Sequence, residues 1–360
     1  MIVFDLVLAT RRPETTGIER YGINLFEAMR EAEPDTHAVV MDPALISGKG
    51  VVPVSNALGG WFAMPRIAAK LAAGEPVTVV CPSYPASPLF LLTRQKLLRI
   101  IHDSFPWTRD AGNSWQGKLL FKTVEKWMLR RYDVRAAPTE LTAKELSSLF
   151  GLDFDCVGNA PGLDLRTLAP EPVAALDGSP FVLAVGTVEP RKNYDGVLDM
   201  LAAAGDAPYT LVVAGRPGWG DVVERLRQTA GPEKRLLWLD DASDGQLAWL
   251  YRNCAAFVSL SHAEGFNMPL VEAGIEGCPI VCSDLPIHRS VAAPWAKFVS
   301  GTATPSEVAA LLQEAATQPR HDAKAYGARF DWTGIARKVE ALVRAEEMSP
   351  CQPGLCSKSN

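Results

Sequence analysis

Ser261-His262-Ala263-Glu264-Gly265-Phe266-Asn267-Met268-Pro269-Leu270-Val271-Glu272-Ala273-Gly274 is the stretch on which the reading of this chain turns. An apolar, strand-like run precedes it. The chain then bends through a glycine and a proline and takes on a helical pattern. Pro269 suits a first helical turn, where a missing N–H is no loss. The N–H groups of such a turn form an anion site. Glu264 falls in the loop, and Glu272, eight positions on, is expected in the first turn. Carboxylates on either side of an anion-binding helix start suit a ligand with sugar hydroxyls at one end and a diphosphate in the middle. The same residues also read as a loop acid plus an acid favoured by a helix dipole. Taken alone, they leave both readings open.

Working outward, short apolar runs alternate with amphipathic stretches. Strand-like runs fall at 2–9, 38–41, 77–81, 98–102 and 134–138, and a second series at 181–186, 210–214, 236–239, 256–260 and 279–283. Helical patterns between them include 17–31, 115–131, 142–150, 193–204 and 221–228. Such alternation implies α/β architecture with parallel sheets doubly wound by helices. Sheets of this kind take ligands beyond the C-terminal ends of their strands. The series restarts near residue 178, after a stretch, 159–178, rich in Pro, Gly, Asp and Ala that reads as an interdomain linker. We expect domains at 1–165 and 166–330, a C-terminal helix at 331–346 packing back on the first, and a disordered tail at 347–360.

The 360 residues suffice for two domains, and nearly half are apolar, so both can have cores. A net charge of −5 offers no global attraction to nucleic acid, and no such partner is expected. The seven cysteines form no CxxC pair, and their odd, scattered count fits a reducing compartment. Met1–Thr10 lacks a preceding basic region and reads as a first strand rather than a signal peptide. No run reaches the ~18 apolar residues of a spanning helix. A cytoplasmic protein is expected.

The second half opens with Phe181-Val182-Leu183-Ala184-Val185-Gly186, then Thr187-Val188-Glu189-Pro190-Arg191-Lys192-Asn193. Two adjacent cations at a helix start oppose the helix dipole. They make sense with a diphosphate among them, Arg191 offering a fork and Lys192 a point charge. An exposed basic turn is the plainer alternative. Val213-Ala214-Gly215-Arg216 ends a further strand, where Gly215 fits either a nucleotide wall or an ordinary turn.

These landmarks together resemble retaining GT-B glycosyltransferases of family 4 (glycosyltransferase group 1), among them bacterial mannosyltransferases. Residues 264–272 resemble that family's two-glutamate motif. Gly17-Ile18-Glu19-Arg20-Tyr21 resembles its first glycine loop, Ile101-His102-Asp103-Ser104-Phe105-Pro106 its histidine segment, and residues 159–164 its linker element, with Ala160 and Pro161 intervening. Glu189-Pro190-Arg191-Lys192-Asn193 resembles the cationic turn, and Gly277-Cys278-Pro279-Ile280-Val281 the strand after the second glutamate. The resemblance spans roughly 1–346.

It implies a GT-B fold, two Rossmann-like doubly wound domains facing a cleft, with a nucleotide diphosphate sugar as donor. Glu272 would bond the ribose and Glu264 the transferred hexose. Arg191 and Lys192 would hold the diphosphate, helped by amides near Phe266, Asn267, Met268, Pro269 and Leu270. Gly17 would let the backbone approach the phosphates, and His102 would lie near the reacting carbon. Two departures stand out: Thr187 replaces the arginine that many relatives carry after the strand-ending glycine, and Asn267-Met268 replaces a small and an apolar residue. With both cations present no metal is required; the alternative is Asp153-Phe154-Asp155, a pair of the kind that holds a divalent ion in the other large glycosyltransferase fold. The leaving phosphate can itself take the acceptor proton.

Two other classes compete: a sugar-nucleotide epimerase or hydrolase, for which only Glu264 and His102 are candidate acids, and a non-catalytic sugar-nucleotide-binding subunit. The donor favoured by the resemblance is GDP-mannose, and the acceptor a glycan or lipid-linked saccharide in cell-surface polysaccharide synthesis. Within 115–131, Lys118, Lys122, Lys126 and Arg130 repeat every four residues. On a helix that is one face, with Leu119, Leu120, Val124, Trp127 and Met128 as its apolar part. Such a helix can rest on an anionic membrane, placing the protein peripheral to its inner face, or be an ordinary solvated surface helix.

Overall fold

The computed structural model describes residues 1–13, 15–108, 119–176, 178–231 and 235–348. They form two compact units. The chain leaves the first between Gly158 and Asn159 and returns to it between Asp331 and Trp332.

The first unit holds a seven-stranded sheet of β1 (Ile2–Leu6), β2 (Thr36–Val40), β3 (Val51–Pro53), β4 (Thr78–Cys81), β5 (Lys96–Ile100), β6 (Val134–Ala137) and β7 (Asp155–Cys156), in the order β3-β2-β1-β4-β5-β6-β7. All its pairings are parallel. β1 and β4 are buried at every position, as parallel strands covered on both faces must be. Helix α1 (Gly17–Ala32) starts at Thr16, which forms a capping box with Glu19. Its buried face is Tyr21, Leu25, Phe26 and Met29. Helix α2 (Ala57–Ala72) is capped by Asn56, which accepts from the Gly59 N–H at 2.7 Å. Helix α3 (Glu140–Phe150) follows β6.

The second unit holds β8 (Phe181–Val185), β9 (Thr210–Ala214), β10 (Leu236–Leu239), β11 (Ala256–Ser259), β12 (Ile280–Ser283) and β13 (Lys297–Val299), ordered β10-β9-β8-β11-β12-β13 and again parallel. Between them run α4 (Tyr194–Ala203), α5 (Asp221–Thr229), α6 (Asp244–Asn253), α7 (Met268–Ile275), α8 (Pro286–Val291) and α9 (Pro305–Ala316). The strand order reverses between β8 and β11, which makes that junction the switch point where such sheets bind ligands. The last helix, α10 (Trp332–Met348), packs on α1 in the first unit, burying Ile335, Ala336, Val339 and Val343. Two Rossmann-like units in one chain are the α/β GT-B class expected.

The helix expected over 115–131 is corrected. Residues 109–118, Lys118 among them, lie outside the described residues, as do 349–360 of the expected tail. From Leu119 the chain forms a π-helical stretch, Leu119–Glu125, and then a single α turn, Lys126–Met128. The i→i+5 bonding of a π-helix changes the angular register, so a four-residue repeat no longer marks one straight face. Glu125 closes the π-helical stretch. This lone acid is fully buried under Arg99, which donates from Nε to Oε2 at 3.1 Å and from Nη2 to Oε2 at 3.0 Å. Of the residues expected to form that helix's apolar part, Trp127 is exposed and Met128 buried.

Candidate functional site

At the second unit's switch point two loops are fastened together. β8 ends at Gly186, whose φ of 138° excludes most side chains; a Cβ there would sit 3.3 Å from the Lys192 stem. The Tyr194 hydroxyl donates to the Gly186 carbonyl at 2.7 Å. Pro190–Lys192 form one 3₁₀ turn, and Asn193, in the left-handed region, caps α4 through Gly196 N–H. Its amide also donates to Leu260 O at 3.0 Å, and His262 N–H donates to Arg191 O at 2.8 Å. The turn after β8 is thereby tied to the loop after β11.

This fastening brings Glu264 to the cations. Lys192 Nζ donates to Oε1 at 2.7 Å and Arg191 Nη1 to Oε2 at 2.6 Å. Ser261 Oγ donates to Oε1 at 2.7 Å. The Glu264 side chain is only 5% exposed. Burial alone would raise its pKa, but the Lys192 and Arg191 charges overcome that and hold it down at about 2. Arg191 also donates to Ala263 O and Glu189 Oε1. The two cations expected to await a diphosphate are thus engaged by a carboxylate in the ligand-free chain.

Asn267 begins α7 with φ 73°, a conformation Asn tolerates better than most residues. Its Nδ2 donates to Ser259 Oγ at 3.0 Å and to His288 Nε2 at 2.9 Å. His288 Nδ1 faces Ser283 O at 2.8 Å, and a carbonyl can only accept, so Nδ1 carries the hydrogen. Phe266, Met268 and Leu270 are buried around this turn, Phe266 edge-on to Phe330. Pro269 stands in the first turn as expected. Within the first turn Leu270 N–H already donates to Asn267 O at 3.1 Å and Pro269 has no N–H, so what this helix start offers an anion is mainly the positive end of its dipole.

Glu272 lies in the second turn of α7, not the first. It is buried, accepting from Gly162 N–H at 3.0 Å, Leu163 N–H at 3.2 Å and the Tyr251 hydroxyl at 2.8 Å. It therefore holds the 162–163 backbone within the second unit. Gly215 is demanded by packing: a Cβ there would lie 2.0 Å from Gly186 O. Two further candidates sit in the first unit. Gly17 is the first residue of α1. The His102 ring lies edge-on to Tyr21, with Nε2 donating to Pro82 O at 2.7 Å. Burial pushes its pKa down to about 4, so the imidazole is neutral. Tyr251 and His288 carried no signal in the sequence, because each acts through a partner 21 positions away; Ser261 acts locally on Glu264 but was not singled out.

Residues 167–330 match the family described as glycosyl transferases group 1. That segment of the chain is similar to group 1 glycosyltransferases. It contains the whole Arg191–Lys192–Glu264 cluster and Glu272. The chain is 29% identical over 227 residues to the serotype-specific mannosyltransferase WbdA of Escherichia coli, covering 61% of this chain and 27% of WbdA. It is 36% identical over 109 residues to O-antigen chain mannosyltransferase B of Escherichia coli, covering 29% of each. The chain thus spans about a quarter of the length of WbdA. In fold it is similar to sucrose-phosphate synthase from Thermosynechococcus elongatus (TM-score 0.70, 18% identity, 96% of this chain and 98% of that one). It is equally similar to HepE of Anabaena, solved in complex with UDP and glucose (TM-score 0.69, 16% identity, 96% and 99% covered).

Proposed function

We propose that the segment similar to group 1 glycosyltransferases binds a nucleotide diphosphate sugar and that the protein is a retaining, family 4-type glycosyltransferase. It moves a hexose, with mannose favoured and GDP-mannose as donor, to a glycan or lipid-linked acceptor in cell-surface polysaccharide synthesis. The observation that carries this reading is the buried Glu264 held between Lys192 and Arg191 at the switch point. Mannose is supported by the mannosyltransferases to which the chain is similar.

On this reading the diphosphate reaches Lys192 and Arg191 and takes over part of their bonding to Glu264. The α7 amides from Phe266 to Leu270 add partial positive charge. Glu264, displaced from its cations, turns to the hexose hydroxyls. Glu272 fixes Gly162 and Leu163 and shapes the ribose side of the pocket. As the sugar–phosphate bond breaks, negative charge grows on the leaving diphosphate beside both cations, which stabilises it. That diphosphate accepts the acceptor's hydroxyl proton, so His102 need not act as a base. The protein would work in the cytoplasm, at the inner membrane face when its acceptor is lipid-linked.

Incubation with labelled GDP-, UDP- and ADP-sugars, with and without acceptor glycan, tests the reading. Transfer with retained anomeric configuration is expected. Ring inversion or hydrolysis without acceptor would assign an epimerase or hydrolase, and binding without turnover a non-catalytic subunit.

A further inference from the structure

Among the described residues, six of the eight large apolar side chains that stand exposed lie on three neighbouring elements of the first unit: Leu58, Phe62, Leu89, Leu91, Leu92 and Trp127. Leu92 is 83% exposed, Trp127 65% and Leu58 64%. Leu89, Leu91 and Leu92 belong to the 3₁₀ helix Pro88–Leu92, in which Phe90 alone is buried. That helix is fixed from both sides. Its Phe90 carbonyl and the following Thr93 carbonyl each accept from Arg131 at 3.2 Å, just past the α turn that carries Trp127. On the other side Gln95 donates to Pro65 O of α2 at 2.8 Å, and Trp61 of α2 donates to Pro85 O at 2.8 Å.

Charge on the same elements is one-sided. Residues 57–72, 88–96 and 119–131 contain the cations Arg66, Lys70, Arg94, Lys96, Lys122, Lys126, Arg130 and Arg131. Their one acid is Glu125, buried under Arg99. The whole chain has a net charge of −5, so this is a local inversion of sign. On α2, Leu58, Phe62, Arg66 and Lys70 follow at four-residue intervals and are all exposed, giving one ridge that is apolar at one end and cationic at the other.

We propose that this surface is a docking face for an anionic lipid bilayer: the leucines of Pro88–Leu92, Trp127 and the Leu58–Phe62 pair enter the headgroup boundary, and the flanking lysines and arginines meet lipid phosphates. It deepens, and rests on, the membrane-side reading above, and is independent of the donor chemistry. Rigidly held leucines with an aromatic beside them and exposed cations around them, Arg131 being the one paired with a partly exposed acid, Asp133, match a surface that is apolar inside and negative at its edge. A protein partner's apolar face carries no such obligatory rim of negative charge.

The full chain is floated with vesicles of phosphatidylcholine alone, and of phosphatidylcholine with phosphatidylglycerol, at low and high salt. Binding to the anionic vesicles only is expected, with partial retention at high salt. Leu91→Ser/Leu92→Ser, which leaves the charge unchanged, should reduce it on the order of tenfold or more. Lipids brominated in the acyl chain should quench tryptophan fluorescence in the parent chain, and Trp127→Phe should remove most of that quenching. Absence of vesicle binding, or a leucine double variant that binds like the parent, overturns the proposal. So does a dimer in sedimentation that the leucine variant abolishes while vesicles are ignored, which would assign the face to a second copy. Diphosphate binding measured on the same samples separates failure of this surface from failure of the transferase reading.

Discussion

Lys192 Nζ lies 2.7 Å from Glu264 Oε1, so a buried carboxylate holds the cation that, on the proposed reading, receives a phosphate. Removing the carboxylate should help the phosphate and harm the transfer. Glu264→Ala is expected to tighten binding of GDP or UDP while slowing transfer on the order of 100-fold, the loss typical of one preorganised polar contact. Lys192→Ala should weaken the same diphosphates. Isothermal titration and steady-state kinetics on the pair of variants check this; weaker diphosphate binding by Glu264→Ala would contradict it.

Tyr251→Phe deletes a single oxygen yet leaves the buried Glu272 carboxylate one donor short. An unsatisfied buried acceptor costs about 1–3 kcal/mol. A lowered urea midpoint is expected, with weaker nucleotide-sugar binding because the 162–163 backbone hangs on the same carboxylate. Glu272→Ala should weaken that binding further. Unchanged stability in Tyr251→Phe would deny the bond.

Glu125 and Arg99 form a fully buried ion pair. Glu125→Ala strands a guanidinium in the core and should cost about 3–5 kcal/mol. Replacing both, as Arg99→Met with Glu125→Leu, should recover much of the loss. Chemical denaturation of the single and double variants measures the difference, and a single variant as stable as the parent would remove the pair from the fold's essentials.

Buried titratable groups make stability depend on pH in opposing senses. His102 has its folded pKa below the ordinary 6.5, at about 4, so protons favour the unfolded chain and stability drops as pH falls through that interval. Glu264 is held at about 2 against an ordinary 4.5. Its contribution is present above 4.5 and is lost as pH falls towards 2. Asp5 works in the opposite sense: burial raises it from 3.8 to about 7, so it adds stability as pH falls through that interval. The His102 contribution is therefore read as a difference: in urea midpoints taken from pH 8 to pH 3, His102→Phe should gain on the parent as pH falls below about 6.5.

The central strands were legible in the sequence because a parallel strand covered on both faces is largely apolar, as Phe181–Val185 is throughout and Ile280–Ser283 is up to its final serine. The edges were not. β3, β7 and β13 are short, and Asp155, Pro53 and Lys297 give them no apolar signature. The pairing of Arg191 with Glu264 joins residues 73 positions apart, a distance no local pattern encodes. Residues 159–178 resembled linker because Gly, Pro and Asp dominate, although the Gly162 and Leu163 amides are fixed by Glu272. Glu125 misled most. A lone acid in a basic segment looked like one more solvated charge, whereas it is fully buried under Arg99 at the end of the π-helical turn.

The return of the chain at Trp332 sets an order of events during synthesis. Helix α10 belongs to the unit that begins at Met1, while the other unit is one uninterrupted stretch between the two crossings. A ribosome delivers residues 332–348 only after the strands of both sheets, so the second sheet can close while the first still waits for the helix that covers α1. Until then Tyr21 lacks its Trp332 neighbour, and the N-terminal half of the newborn chain presents a naked apolar stripe to any chaperone at hand.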